Sequence, residues 1–201
     1  MHLTKTAILA GLQCDKRLYL QANHPELAQL RKSPLTQTGI EVGEQARAAF
    51  PGGVLVDRFR PNSDPLAQTQ ALLSDPDVPA IFEAGFRHQD TAVFVDVLER
   101  NADGWNLIEV KSSSTIKDAY IDDVTVQFIV LSNAGVKVKR VELMFLNKDF
   151  IFYREQGLGG LFVREDVTER VLAHRPLLAD RLDALRQALT AQEPERHVDG
   201  H

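Results

Sequence analysis

Apolar positions change their spacing several times along the 201-residue chain, and each change predicts an element. Residues 4–20 place Ile8, Leu9, Leu12, Leu18 and Leu20 at near-helical intervals. Residues 38–50 repeat the pattern with Ile40, Val42, Ala46 and Phe50, opened by Thr38 as a cap. Asp64-Pro65 is a cap followed by proline at the first helical position, which predicts a helix to about Leu73. A further helix is expected from Asp122 to Ala134, stopped by Gly135. Asp166 opens the last one, with Glu169 completing a capping box. Its stripe is Val171, Leu178, Leu182, Leu185 and Leu189, and Pro176 is expected to kink it.

Between these helices the period shortens. Residues 80–86, 91–100 and 105–111 are rich in β-branched and aromatic side chains and are separated by polar turns, which predicts a meander of three strands. Residues 138–146 and 149–153 look like a further hairpin. The order implies an α/β fold: a central mixed sheet of about five strands flanked by helices, with a helical N-terminal segment. The expected organisation is one domain over 1–192, with a mainly helical start (1–75), a sheet core (79–153) and a C-terminal helix (166–192). The polar tail 193–201 is expected to be loose.

The third strand carries the first chemical signal. "WNLIEVKSSS" begins as a buried strand, yet Glu109 and Lys111 lie inside it. A hairpin closed at "NADG" sets Asp96 opposite Glu109 and Phe94 opposite Lys111, and a turn at "RHQD" sets Glu83 opposite Phe94. Glu83, Asp96, Glu109 and Lys111 then share one face. The other face holds Phe82, Ala84, Phe86, Val93, Val95, Val97, Ile108 and Val110, without charge. Facing carboxylates repel, and acids among apolar neighbours need a counter-charge. A hard divalent cation such as Mg²⁺ or Mn²⁺, which takes oxygen ligands, supplies it. The bland alternative is an ion pair of Glu109 with Lys111 at a strand end.

Composition narrows the classes. Net charge is −5, so any nucleic-acid contact needs a local basic patch. One cysteine, Cys14, excludes an internal disulfide framework and suits a reducing cytoplasm. The N-terminal apolar run is too short and broken for a signal peptide or membrane span. The six histidines show no ligand spacing, and no serine or cysteine nucleophile constellation is visible.

Glu109-Val110-Lys111, the sole acid-x-Lys triplet, with Asp96 upstream and Gln127 on the following helix, resembles the PD-(D/E)xK nuclease superfamily. The likeness is greatest to the RecB-like branch that includes CRISPR-associated exonucleases and related uncharacterised bacterial proteins. It runs through "LTKTAILAGLQCDKRLYL", "IFEAGF", "FVDVL", "IEVKSSS" and "DVTVQFIVL". It implies a restriction-endonuclease-like core and metal-dependent hydrolysis of DNA in repair, recombination or defence. Asp96 and Glu109 become metal ligands with the Val110 carbonyl, Lys111 the motif lysine and Gln127 the helix glutamine. Glu83 becomes a further carboxylate near the metal. Ser112, Ser113 and Lys117, just beyond the motif, offer phosphate contacts; otherwise they are plain loop. Lys137–Arg140 ("KVKR") is either a solvated strand end or a DNA-contacting patch.

The sequence also departs from that pattern. Gly43 stands where relatives often have a histidine, and Leu131 where they have a tyrosine. Cys14 matches the first of four iron–sulfur cysteines, whose other three are missing. A cluster is therefore expected only in a longer parent chain; by itself Cys14 reads as a small buried residue. The alternative functions are an inactive nuclease-like module that binds nucleic acid or a partner, and an interaction domain whose charged pair sets register.

Overall fold

The computed structural model describes residues 3–27, 34–153 and 157–190, with backbone alone for 34–36 and 188–190. The predicted tail, Leu189's side chain, His2, His197 and His201 lie outside the described residues. β1 (Leu3–Thr4) leads directly into α1 (Lys5–Gln13), whose first turn is capped by Thr4 Oγ1 accepting from Ala7 N at 3.2 Å. The single helix expected over 4–20 is two, α1 and α2 (Asp15–Asn23). Cys14 is extended between them: its N–H closes α1 onto Ala10 O, and its carbonyl accepts from Leu18 N. At this corner Cys14 is exposed rather than buried.

After a 3-10 turn (Pro25–Leu27), α3 spans Pro34–Arg47, so Thr38 lies inside it instead of capping it. β2 (Val54–Leu55) precedes α4 (Pro65–Ser74), where Asp64 accepts from Leu66 N and Ala67 N as its sequence predicts. β3 (Ala80–His88), β4 (Thr91–Asn101) and β5 (Gly104–Lys111) form the meander. α5 (Asp118–Asn133) starts before Asp122, and Gly135 beyond its end has the left-handed φ of +86° that suits a helix stop. β6 (Val138–Leu146), β7 (Phe162–Asp166) and α6 (Thr168–Thr190) are the last elements among the described residues.

Two further expectations are corrected here. Residues 149–153 form no strand: Asn147 accepts from Asp149 N and turns the chain away, and β6 pairs instead with β7. Asp166 is the last residue of β7 and α6 begins two residues later than expected, at Thr168, whose N–H and hydroxyl the Asp166 carboxylate takes. α6 then continues through Pro176.

Among the described residues the sheet has seven strands, in the order β2-β3-β4-β5-β6-β7 with β1 beside β4. It exceeds the expected five because β1 and β2, two residues each, are too short to show a period. It is mixed: β3, β4 and β5 are antiparallel neighbours, whereas β5 and β6 run parallel. A parallel pair needs a crossover, which α5 provides. α5 is buried almost throughout, and Asp123, Thr125 and Gln127 are carried inward with its apolar residues. The larger core cluster joins α1, α5 and α6 to the sheet, and a smaller one holds Ala46, Phe50, Phe82, Val97, Ile108 and Met144.

Candidate functional site

The β4–β5 ladder follows the predicted register from Asn101↔Gly104 to Val97↔Ile108 and then ends. Asp96–Glu109 and Phe94–Lys111 therefore do not pair; the strands part at this point. On the other side of β4, the turn sits at Gln89-Asp90, with Gln89 at φ +53°, so His88 pairs with Thr91 and Gly85 with Phe94. Glu83 lies across from Asp96, not Phe94, between the pairs Phe82↔Val97 and Ala84↔Val95. It drops out of the ladder with φ +55°, a left-handed value costing a non-glycine residue about 1–3 kcal/mol.

This break changes which face each side chain occupies. Strict alternation separates Ile81 from Ala84 and Val95 from Leu98, yet all four belong to the larger cluster. Phe82, Val97 and Ile108 belong to the smaller one. The pleat thus slips at Glu83 and Asp96, and the uncharged face expected from Phe82 to Val110 is divided between the two clusters. Glu83 turns to Arg47 (3.6 Å) and Arg58 (3.3 Å), while Glu109 and Lys111 turn towards α5. Asp96 stands at the seam. Its Oδ2 accepts from Val110 N at 2.8 Å, replacing the ladder bond lost where the strands part.

Glu109 is the hub. Its Oε1 takes Lys111 Nζ at 2.6 Å and Lys5 Nζ at 3.1 Å, and its Oε2 takes Gln127 Nε2 at 2.6 Å. Asp123, one helical turn before Gln127, receives Lys111 at 2.5 Å, Lys5 at 3.0 Å and Gln127 at 3.2 Å. Gln127 is fully buried, gives its N–H₂ group to two acids, and among the described residues its Oε1 has no hydrogen-bond partner.

Burial and then the Glu109 charge push the Asp96 carboxyl up to about 7. Asp123 is raised for the same two reasons. Burial also opposes ionisation of Glu109, but Lys5 and Lys111 outweigh it and hold that carboxyl well below the usual range. For both lysines, burial is outweighed by Glu109 and Asp123, so each stays firmly protonated. With Asp96 ionised, three carboxylates face two ammoniums. The cluster is one positive charge short.

A cleft of about 530 Å³ opens onto Asp96, Glu109 and Val110 between α3 and the sheet. Gly39 and Gly43 line it, and a Cβ on either would meet nothing within 4 Å. At its rim the Arg58 guanidinium lies 4.8 Å from the Phe59 ring centre and 4.9 Å from that of Phe94, with Phe59 82% exposed.

Among the described residues, no three His, Cys, Asp or Glu side chains are grouped to hold a metal ion. Of the residues expected to offer oxygen donors, Asp96, Glu109, Val110 and Glu83 line one cleft; a hard cation there would need waters and substrate to complete its shell. Glu83 is engaged with arginines instead.

Ser112 and Lys117 are exposed, and Ser113 Oγ donates to Thr115 O. Lys117 and Lys111 both approach the Tyr120 ring, at 5.9 and 5.1 Å. None of Ser112, Ser113 and Lys117 lines the cleft with Asp96. In "KVKR", Lys139 pairs with Asp103 and Arg140 with Asp166, and Val138 pairs with Trp105 at the other end of β5 from Glu109.

Sequence reasoning missed Lys5, Asp123 and Arg58. Asp123 was detectable as an acid one turn before Gln127 in an apolar helix. Lys5 and Arg58 come from distant segments, and neither stands in an acid-x-Lys triplet or other spacing that marks a site.

No family model matches the chain, and no curated protein matches it. Among solved structures it is similar to SSO0001, known from a crystal structure, at 12% sequence identity and a TM-score of 0.47, over 91% of this chain and 76% of that one.

Proposed function

We propose that the chain is a metal-dependent deoxyribonuclease of the PD-(D/E)xK kind, with a restriction-endonuclease-like core, hydrolysing phosphodiester bonds. The observation that carries this reading is the Asp96–Val110 hydrogen bond. It sets a half-buried acid against the Glu109–Val110 peptide, in an open cleft that Glu109 also lines. Mg²⁺ or Mn²⁺ would be held by Asp96, Glu109 and the Val110 carbonyl, and when bound supplies phosphate polarisation and a more acidic water.

The chain's own groups then have distinct tasks. Lys111, clamped by Glu109 and Asp123 and firmly protonated, is a donor that stabilises charge developing on a phosphate, not a base. Gln127 fixes the orientation of Glu109 through Oε2. Arg58, held between two rings and Glu83, offers a pre-set cation at the rim of the cleft.

The test is cleavage of single- and double-stranded DNA with Mn²⁺, with Asp96→Ala as control. Turnover that vanishes in the variant supports the reading, and no turnover by the parent refutes it. A second reading, a nuclease-like module that binds without cutting, is favoured by Lys5 sitting on Glu109. DNA binding without turnover would select it.

A further inference from the structure

Lys5 lies in the N-terminal stretch of the resemblance with no role assigned to it, yet its ammonium bridges Glu109 Oε1 at 3.1 Å and Asp123 Oδ1 at 3.0 Å. The fold delivers it there. β1 sets Leu3 beside Thr91 and Thr4 beside Ala92, so the next residue enters the gap where β4 and β5 have parted. An ammonium in the first turn of a helix opposes the helix dipole, so the acids, not the helix, favour this placement. Its side chain remains 25% exposed, on a flexible stem that can swing to solvent.

The lone pairs of Glu109 are nearly all in use. An ionised carboxylate offers about four acceptor sites; Lys5 and Lys111 take two on Oε1, and Gln127 takes one on Oε2. Lys111 holds the same two acids at 2.6 and 2.5 Å, more tightly than Lys5 does. Lys5 is therefore the easier cation to displace. Charge agrees: adding a divalent ion to the cluster of three acids and two lysines leaves it positive, whereas exchanging Lys5 for that ion makes it neutral.

Building on the nuclease reading, we propose that Lys5 is a resident stand-in for the divalent ion. It occupies Glu109 and Asp123 in the metal-free protein, yields when the ion binds, and so sets the metal affinity of the site. A merely structural Lys5 has the opposite signature, because its loss would disorder the acids and weaken metal binding.

The test is Mn²⁺ binding without DNA, followed through the electron paramagnetic resonance signal of free Mn²⁺. It compares the full chain with Lys5→Gln and Lys5→Met, their fold checked by near-ultraviolet circular dichroism. Lys5→Gln retains a donor for the acids and carries the test if the methionine variant does not fold. The expected result is Mn²⁺ affinity raised about tenfold or more in the neutral variants, with Lys5→Arg close to the parent. A parent that binds Mn²⁺ while Lys5→Gln binds it equally or more weakly overturns the inference and leaves the nuclease reading standing. No Mn²⁺ binding by any of these proteins also overturns the inference, while DNA cleavage with Mn²⁺ decides the nuclease reading separately.

Discussion

Asp96 Oδ2 accepts the backbone N–H of Val110 at 2.8 Å, so one carboxylate both completes the parting strands and faces the cleft. The two roles separate by substitution. Asp96→Asn keeps an acceptor for that N–H, whereas Asp96→Ala leaves it unsatisfied at a cost of about 1–3 kcal/mol. Urea unfolding should show the alanine variant less stable than the asparagine one by that amount. Both should lose metal-dependent cleavage.

Stability without metal should depend on pH through Asp96. Its folded value of about 7 lies above the roughly 3.9 expected unfolded, so the native state holds more protons between those values. Its contribution is full below about pH 4 and is lost as pH rises through 7. Asp123 acts in the same sense. Glu109, whose value is lowered, contributes above about pH 4.3 and loses that contribution only in acid. The melting temperature should therefore fall from pH 5 to pH 8 with chelator present, and fall less in Asp96→Asn. A rise over that window in the parent refutes the assignment.

Glu109→Gln and Lys111→Ala each leave opposite charges stranded in a buried cluster. Each should lower stability by about 3 kcal/mol by chemical denaturation and reduce DNA cleavage by orders of magnitude. Mn²⁺ binding should separate them: weakened in Glu109→Gln, largely kept in Lys111→Ala, since an ammonium is no ligand.

Gly104→Ala tests the turn that sets the β4–β5 register. A Cβ there would lie 2.3 Å from the Lys137 carbonyl oxygen, at φ +155°, so the β5–β6 edge must shift. The expected loss is about 3 kcal/mol. Gly39→Ala and Gly43→Ala, in α3 with open space at Cβ, should instead be neutral or gain up to about 1 kcal/mol. Thermal melts of the three variants decide it.

Much of the frame was legible because it is local. Asp64-Pro65, the alternation of β3 to β5 and the "NADG" turn are short-range signals, and the elements appear where those signals lie. The breaks were not legible. A left-handed Glu83 has no sequence mark, yet it moves Ala84, Phe86, Val93 and Val95 across the sheet. Cys14 splits a stripe that reads as one helix, because two helices in sequence keep nearly the same apolar spacing. Asp96, Glu109, Lys111 and Gln127 do converge on one region, but the cation between Glu109 and Asp123 comes from a residue no periodicity selects.

Lys5 and Glu109 are 104 positions apart, and the Arg181 guanidinium that donates to Gly11 O is 170 positions away from it. Such separations constrain the order of folding. Closure over so long a loop is entropically late, whereas the β3–β4–β5 meander pairs neighbours. On a ribosome, α1 emerges before α5 and α6 and must wait, undocked, until they follow. The acids therefore meet Lys111 in the nascent chain before Lys5 joins them, and α1, made earlier than its partners, settles after them.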